Sequence, residues 1–256
     1  MALRITDVSA EAILLAGGAR AILLQLANPA VAAGVARHSD FAARPLDRLN
    51  GTLTYLYVTV YGTPDEAALV ARQVGRAHGP VRGEGYDARD PHLQLWVAAT
   101  LYDTAMRVHE LVLGPLSDED FESLLADYAV IGTALGVPRE LWPVDRAAFA
   151  AYWADASANL RVDAPARDVA TALLGARTLP VWLRPAMPTV RLVTAGLLHT
   201  ELRAAYGLPL NEKRFERLVR FTRAVYPRLP RWLRHAPMRR SLRAFRRQDA
   251  SVRMPR

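Results

Sequence analysis

Apolar residues recur every three or four positions through most of this chain, and strictly alternating runs are few. This spacing is typical of amphipathic helices. The first four helices that it predicts are each followed by Gly or Pro, and they cover about 10–26, 46–61, 65–78 and 91–113. The remaining helices cover about 117–135, 146–159, 165–176, 188–206 and 211–226, before a basic helix that ends near residue 248. The pattern therefore predicts an all-α fold.

Two segments depart from this simple pattern. Residues 54–61 are rich in Thr, Tyr and Val, so a strand is a fair rival to the helix there. Residues 81–90 contain two Gly and several charged residues, which predicts a loop. No internal repeat and no long polar linker interrupts the chain. We therefore expect one domain over residues 1–256.

The most apolar stretch runs from Ala12 to Ala36, but Arg20 and several Gly and polar residues interrupt it. Because a central charge is costly in a membrane span, we interpret this stretch as a buried helix. Gly17 and Gly18 fall inside the helical pattern, which favours a close helix–helix contact over a phosphate-binding turn. The weakly basic start is a poor signal peptide. We expect a cytoplasmic protein, with peripheral membrane association as the alternative.

The formal net charge of +8 is concentrated at one end of the chain. Residues 206–256 hold 15 Lys and Arg against three Asp and Glu, a net charge of +12, so the preceding 205 residues carry −4. This basic C-terminal region lacks the interleaved aromatic residues that stack on bases, so we expect no nucleic acid partner. Trp232 with Leu229 and Leu233 amid arginines is compatible with an anionic membrane surface. The alternative is that these arginines cover the acidic body of the protein, which we favour.

Several kinds of catalytic site are excluded by what the sequence lacks. Cysteine is absent, which excludes thiolate nucleophiles, Cys-ligated zinc, iron–sulfur clusters and disulfides. No Walker loop, dinucleotide-binding fingerprint or nucleophile elbow is present. A di-iron bundle requires a Glu-x-x-His motif on each of two helices, and this chain has none repeated at that spacing.

Two pairs of residues carry candidate chemistry. His78 lies in the last turn of a predicted helix, where a neutral imidazole is the usual ligand of b-type haem, and Arg82 follows at a distance suited to a haem propionate. Arg48 and Thr52 lie four residues apart, so they share one helix face beside apolar residues. This arrangement suits the polar side of an otherwise apolar pocket. The alternative for this pair is a surface role, with Arg48 paired to a nearby acid. Thr100 is ambiguous, because its hydroxyl suits a bond to the carbonyl one turn back.

The chain resembles the rubber oxygenase (latex-clearing protein) and MpaB-like oxygenase catalytic-domain family. The matching stretches occur in the same order as in the family, and they cover most of the chain: Leu14–Pro29, Val31–Val35, His38-Ser39-Asp40-Phe41, Arg48-x-x-x-Thr52, His78-x-x-Val81-Arg82-Gly83, Leu95-Trp96-Val97-x-x-Thr100 and the region Leu183–Pro209.

The resemblance implies an all-α fold that encloses a haem b pocket. It places the proximal iron ligand at His78, further cofactor contacts at Arg82 and Thr100, and the distal pair at Arg48 and Thr52. Arg20, from the first matching stretch, is a further cofactor-binding candidate. The rubber-cleaving members carry a lysine just before the distal threonine, where this chain has Gly51.

The resemblance also implies an enzyme, a haem-dependent oxygenase that uses O2 and an unknown electron donor. We expect an apolar small-molecule substrate, with O2-dependent cleavage of a carbon–carbon double bond as the reaction. The alternatives are a haem-binding protein without turnover, or a membrane-peripheral interaction protein that acts through its basic end.

Overall fold

A computed structural model describes residues 2–38, 45–175 and 180–253. The described residues form fourteen α-helices with short 3-10 segments and one two-stranded antiparallel sheet. The all-α prediction is confirmed. The helices are α1 Ile5–Val8, α2 Gly18–Leu26, α3 Pro29–His38, α4 Pro45–Tyr61, α5 Pro64–His78, α6 Pro91–Val112, α7 Asp118–Thr133, α8 Arg146–Ala158, α9 Ala164–Leu174, α10 Met187–Leu197, α11 Thr200–Ala205, α12 Glu212–Val225, α13 Arg231–Arg234 and α14 Ala236–Arg253.

The hairpin of α4 and α5 brings His78 to the same end of the structure as Arg48 and Thr52. Gly62 follows the last residue of α4. A Cβ added at Gly62 would collide with the carbonyl oxygen of Val58, so the turn requires glycine there. Thr63 then caps α5, because its hydroxyl accepts from the backbone of Glu66 while the Glu66 carboxylate accepts from the Thr63 backbone. The helix α4 includes the whole of residues 54–61, so the rival strand is wrong there. The loop predicted over 81–90 holds the small hairpin of β1, Arg82–Gly83, and β2, Tyr86–Asp87.

The central helix α6 joins two hydrophobic clusters. Tyr102 of α6 packs in the larger cluster with residues of α4, α7 and α14, and Trp96 packs in the second with residues of α2, α3 and α9. Asp90 caps the helix, since its side chain accepts from the backbone of His92 and Leu93. A helix buried on nearly all sides in this way fixes the positions of the elements that surround the site.

The first predicted helix is interrupted, because residues Ala12–Gly17 form a 3-10 segment before α2 begins. A Cβ on Gly17 would lie 2.5 Å from Thr104 Cγ2 on α6, whereas one on Gly18 would meet nothing within 4 Å. The expected close helix–helix contact is therefore confirmed, and Gly17 provides it. Among the described residues no single helix is long and apolar enough to cross a bilayer; only Ala12–Leu26 together with Pro29–His38, bent by 104°, passes that test.

The helix predicted over 188–206 is also interrupted, between α10 and α11. Leu198 and His199 adopt extended backbone conformations there. The break frees the carbonyl of Leu197 from the helix, and the buried Arg20 side chain donates to it from Nε at 2.9 Å. Sequence patterning cannot find this break, because the group that replaces the helical bond lies 177 residues away.

The C-terminal helix α14 packs against α4 with one face only. Leu242 and Phe245 are buried in the larger cluster, and Met238 packs against it. Arg246 flanks this face and binds the Glu66 carboxylate through Nε at 2.8 Å and Nη2 at 3.1 Å. Arg239, Arg240, Arg243 and Arg247 are exposed on the outer side of the helix. Three residues of the third matching motif, Ser39, Asp40 and Phe41, lie outside the described residues.

Candidate functional site

A cavity of about 240 Å³ lies between α4 and the packed helices α2, α3 and α6. One stripe of α4 forms its wall: Arg48, Leu49, Thr52, Leu53, Leu56 and Val60 all line it. The stripe follows the three- and four-residue spacing of a helix face. The cavity is therefore mostly apolar, with a small number of polar groups, as in pockets that bind small apolar ligands.

Arg48 and Thr52 line the cavity together, as their spacing predicted. Both residues are exposed, so this part of the cavity opens toward solvent. The Thr52 hydroxyl donates to the Arg48 carbonyl at 3.1 Å. The pair therefore places one cation and one hydroxyl oxygen at the polar end of an apolar space.

Gln25 contributes a second polar group to the cavity, from α2. Its Nε2 donates to Thr100 Oγ1 at 3.0 Å, and the Thr100 hydroxyl donates to the Val97 carbonyl at 2.7 Å. Thr100 is fully buried and does not line the cavity. The back-bonding interpretation of Thr100 is thus confirmed, and the residue orients the amide of Gln25. Its predicted cofactor contact stays a prediction.

Arg20 is fully buried, and protein groups bind all three of its guanidinium nitrogens. Nη1 donates to Thr104 Oγ1 at 2.6 Å, Nη2 binds Asp103 Oδ2 at 2.6 Å, and Nε donates to the Leu197 carbonyl. Burial lowers the pKa of Arg20 from its usual value, and the Asp103 carboxylate opposes that shift. The structure thus places Arg20 as a clamp between α2, α6 and α10, and its predicted cofactor contact also stays a prediction.

His78 ends α5 in a half-buried position close to Arg48. Its Nδ1 is shielded from solvent and has no hydrogen-bond partner among the described residues. Burial lowers the pKa of His78, and the nearby positive charge of Arg48 lowers it further. Both effects favour the neutral form of the imidazole, and its Nδ1 makes no hydrogen bond to the described residues.

Arg82 lies exposed in β1, four residues after His78. Its side chain does not line the cavity. The structure brings Arg48, Thr52 and His78 to one region, whereas the position of Arg82 on the hairpin does not by itself join it to that region. The propionate contact predicted for Arg82 remains untested.

Sequence reasoning missed the polar groups at the closed end of the cavity. Ser9 and Tyr128 both line it, and their hydroxyl oxygens lie 3.3 Å apart. Burial raises the pKa of Tyr128 to about 12, so its phenol stays protonated. Tyr57 and Thr104 also line the cavity. The one available signal was Gln25, a polar residue near the end of the largely apolar helix α2.

The other histidines have separate environments. His38 Nε2 lies 2.8 Å from the Tyr86 hydroxyl, His235 Nε2 lies 3.1 Å from Glu11 Oε1, and His199 Nε2 lies 3.3 Å from Arg107 Nη2. Within the described part of the chain, no three His, Cys, Asp or Glu side chains form a metal-binding group. A site that needs several protein ligands is therefore not present there.

The donor chemistry at His78 fits a haem. Haem iron needs only one ligand from the protein, because the macrocycle itself supplies four nitrogens. A neutral histidine is a common choice for the protein ligand. His78 has the required neutral imidazole and an orphaned buried nitrogen. The neighbouring face of α4 offers apolar side chains and a cation, which suit a planar apolar ring with anionic substituents.

Comparison with known proteins identifies the family. A family model described as "ER-bound oxygenase mpaB/B'/Rubber oxygenase, catalytic domain" matches residues 6–227. The chain belongs to this family. It thereby carries an oxygenase-type catalytic domain, and the resemblance seen in the motifs is confirmed. The MpaB/rubber oxygenase match ends before α13 and α14.

Two mycobacterial proteins are similar to this member of the MpaB/rubber oxygenase family. They are the uncharacterized protein Rv2237 of Mycobacterium tuberculosis and the uncharacterized protein Mb2261 of Mycobacterium bovis. Each is 36% identical over 222 residues, which cover 82% of this chain and 87% of the relative. No solved structure gives a significant match.

Proposed function

We propose that this protein is a haem b-dependent oxygenase that acts on a small apolar molecule. The single observation that carries the proposal is the half-buried His78, whose buried Nδ1 lacks a partner among the described residues and whose imidazole lies close enough to Arg48 to feel its charge. His78 does not itself line the apolar cavity, whereas Arg48 does. Membership of an oxygenase family supports the reaction class. Haem b, when bound, supplies the redox-active iron that activates O2.

In this proposal His78 holds the iron and Arg82 and Thr100 are its further predicted contacts. Burial and the charge of Arg48 both disfavour protonation of His78, so proton competition for the ligating nitrogen is weak near neutral pH. Arg48 keeps a positive charge at the cavity, where it favours negative charge that develops on oxygen during the reaction. Thr52 contributes a hydroxyl oxygen beside it.

The cavity wall selects the substrate class. Leucines of α4 and apolar residues of α2, α3 and α6 exclude water from most of the surface. Because the lining is mostly apolar with few polar groups, we assign a small apolar substrate. We propose O2-dependent cleavage of a carbon–carbon double bond, in which both atoms of one O2 molecule would end in the two carbonyl products and no net electrons are consumed. An external donor would serve only to keep the iron reduced.

An absorption spectrum tests the cofactor first. The purified protein is titrated with haemin beside His78→Ala and the control His92→Ala, which changes an exposed histidine at the start of α6. We expect a stoichiometric Soret band in the wild type and the control that shifts on reduction, and its loss or displacement in His78→Ala. A wild type that binds no haemin, or a band unaffected by His78→Ala, contradicts the proposal.

Turnover is tested next with the reconstituted protein. Apolar alkenes are incubated under O2 with a reductant, and carbonyl products are measured by mass spectrometry with 18O2 to trace the source of oxygen. We expect labelled product in the wild type and at least a tenfold lower rate in Arg48→Gln, because the cation that favours the transition state is absent. Haem binding without turnover of any apolar substrate identifies a haem-binding protein and contradicts the oxygenase assignment.

A further inference from the structure

An arginine-lined groove of about 670 Å³ runs along the outer side of α14. Arg239, Arg240, Arg243 and Arg247 line it, together with two alanines and Trp232 of α13. All four arginines are exposed. They lie on the side of the helix opposite Leu242 and Phe245, which face the core. We define these four arginines and Trp232 as the C-terminal basic groove.

The arginines of this groove do not cover the acidic body of the protein. Within the described part of the chain, no ion pair or hydrogen bond to a carboxylate involves any of the four, whereas Arg246 and Arg234 of the same segment do pair, with Glu66 and Glu11. The expected charge-covering role is therefore met by Arg246 and Arg234, whereas no such pairing accounts for the four groove arginines. From residue 228 to the end, the chain has ten arginines and one acid, Asp249.

The spacing of the groove arginines carries an energetic cost in the free protein. Arg239 and Arg243, and Arg243 and Arg247, are four residues apart, and like charges at this spacing destabilise a helix. An anionic surface opposite the groove attracts all four arginines, and this attraction offsets the repulsion between them. The planar guanidinium group also binds phosphate through two parallel hydrogen bonds, which suits lipid headgroups.

Trp232 distinguishes a membrane from other polyanions. Its side chain is 64% exposed, and its neighbour Leu233 is 43% exposed. Trp residues favour the boundary between headgroups and acyl chains, and a basic surface flanked by exposed Trp and Leu is typical of peripheral membrane binding. A single-stranded nucleic acid site needs a series of stacking aromatic residues instead.

We propose that the C-terminal basic groove docks the protein on anionic membranes, with the arginines on lipid phosphates and Trp232 in the interface. The proposal is independent of the haem assignment, because it rests on a segment that the family match does not include and on different residues. The occupant is a bilayer surface that contains anionic phospholipid.

Vesicle flotation of the full chain tests the proposal. The vesicles are phosphatidylcholine alone, or equal parts of phosphatidylcholine and phosphatidylglycerol, at low and at high salt. The variant R239Q/R240Q/R243Q removes three groove charges and keeps a good helix former at each position. The control R72Q/R139Q/R161Q removes three exposed arginines that make no ion pair with a described residue, so the net charge of the two variants is the same.

We expect the wild type and the control to bind only the anionic vesicles, and to dissociate at high salt as the screening length falls. We expect binding of the groove variant to fall about a hundredfold, since each arginine at an anionic surface adds roughly 1 kcal/mol. With circular dichroism unchanged, this difference supports the groove. No wild-type binding to anionic vesicles, or equal loss in the two variants, overturns the proposal.

Tryptophan fluorescence tests separately whether Trp232 lies in the membrane interface. Tryptophan fluorescence of the wild type is expected to shift to shorter wavelength when anionic vesicles are added, and Trp232→Phe is expected to lose that shift. An unchanged shift in Trp232→Phe overturns the placement of this side chain in the interface. Binding to single-stranded RNA without binding to vesicles overturns the choice of a membrane as the partner.

Discussion

Arg20 and Asp103 form an ion pair of 2.6 Å in which the arginine side chain is completely buried and the aspartate is 13% exposed. Asp103 also binds Arg107 at 3.0 Å, and the Arg107 side chain is 41% exposed. One carboxylate thus joins a buried cation to a solvent-exposed one. The buried member also donates to Thr104, whose side chain lines the cavity.

We expect Arg20→Met to lower the free energy of unfolding by about 3 kcal/mol, because Asp103 loses its buried partner and Thr104 and Leu197 lose a donor. The control Arg107→Met removes the exposed partner of the same carboxylate, and we expect a loss of about 1 kcal/mol or less. Urea denaturation measures both. Equal losses in the two variants contradict the assignment of Arg20 as the structural clamp.

The contact between Gly17 and Thr104 gives a second stability prediction. Gly17→Ala places a methyl group 2.5 Å from Thr104 Cγ2 in a packed interface, and we expect a loss of about 1–3 kcal/mol. Gly18→Ala is the matched control, since its methyl group meets nothing within 4 Å and lies in helix α2. We expect Gly18→Ala to be neutral or to stabilise by up to about 1 kcal/mol.

Thermal unfolding of the two alanine variants separates steric conflict from helix propensity. The two positions are adjacent and the substitutions are identical, so backbone entropy changes by a similar amount in both. A Gly17→Ala protein as stable as Gly18→Ala shows that the 3-10 segment Ala12–Gly17 and α6 do not approach as closely as described.

Local signals predicted the α4–α5 end of the site well. The Gly and Pro residues that follow both helices, together with the helical spacing, predicted the lengths of α4 and α5, and those lengths bring His78 near Arg48. The rest depends on contacts distant in sequence. Arg20 meets Asp103 across 83 positions, and Ser9 meets Tyr128 across 119. No periodicity carries such information.

The sequence alone did not show whether the arginines of the C-terminal region pair with acids of the same protein, because that depends on how α14 packs. Helical spacing separates a core-facing side of α14 from an arginine-rich side, but it does not show whether acids lie opposite the arginines. The structure shows one arginine of α14, Arg246, against Glu66, and four on an open groove. This difference depends on which surface α4 and α5 present to the helix.

His109 predicts a pH dependence of stability. The residue is buried on α6, its Nδ1 lacks a partner among the described residues, and burial lowers its pKa despite nearby carboxylates. A histidine with a lowered pKa binds fewer protons in the folded than in the unfolded state. Stability is therefore lost as the pH falls below the unfolded value near 6.5, and it is fully present above that value.

We expect His109→Leu to flatten the slope of unfolding free energy against pH below about 6.5, because the leucine takes up no proton in the unfolded state. The measurement is urea denaturation at a series of pH values, with pH 8 as the internal reference where the imidazole of the wild type is neutral in both states. A slope that is the same in wild type and variant contradicts the desolvation of His109.

Gly51 gives a prediction about the distal side of the proposed haem site. It lies on α4 between Arg48 and Thr52, where the rubber-cleaving members carry a lysine, and a Cβ there would meet nothing within 4 Å. Gly51→Lys therefore fits without a clash. We expect it to stabilise the protein by about 0.5–1 kcal/mol, because lysine is a better helix former than glycine.

The informative measurement is the Soret band of the haemin-reconstituted protein. An amine beside Thr52 adds a basic nitrogen on the Arg48 side, so we expect the ferric band of Gly51→Lys to differ from that of the wild type and to revert as acid protonates the amine. Asn50→Lys is the control, since it adds the same charge at the adjacent exposed position. Identical spectra for Gly51→Lys, Asn50→Lys and the wild type show that this face of α4 is not the distal side.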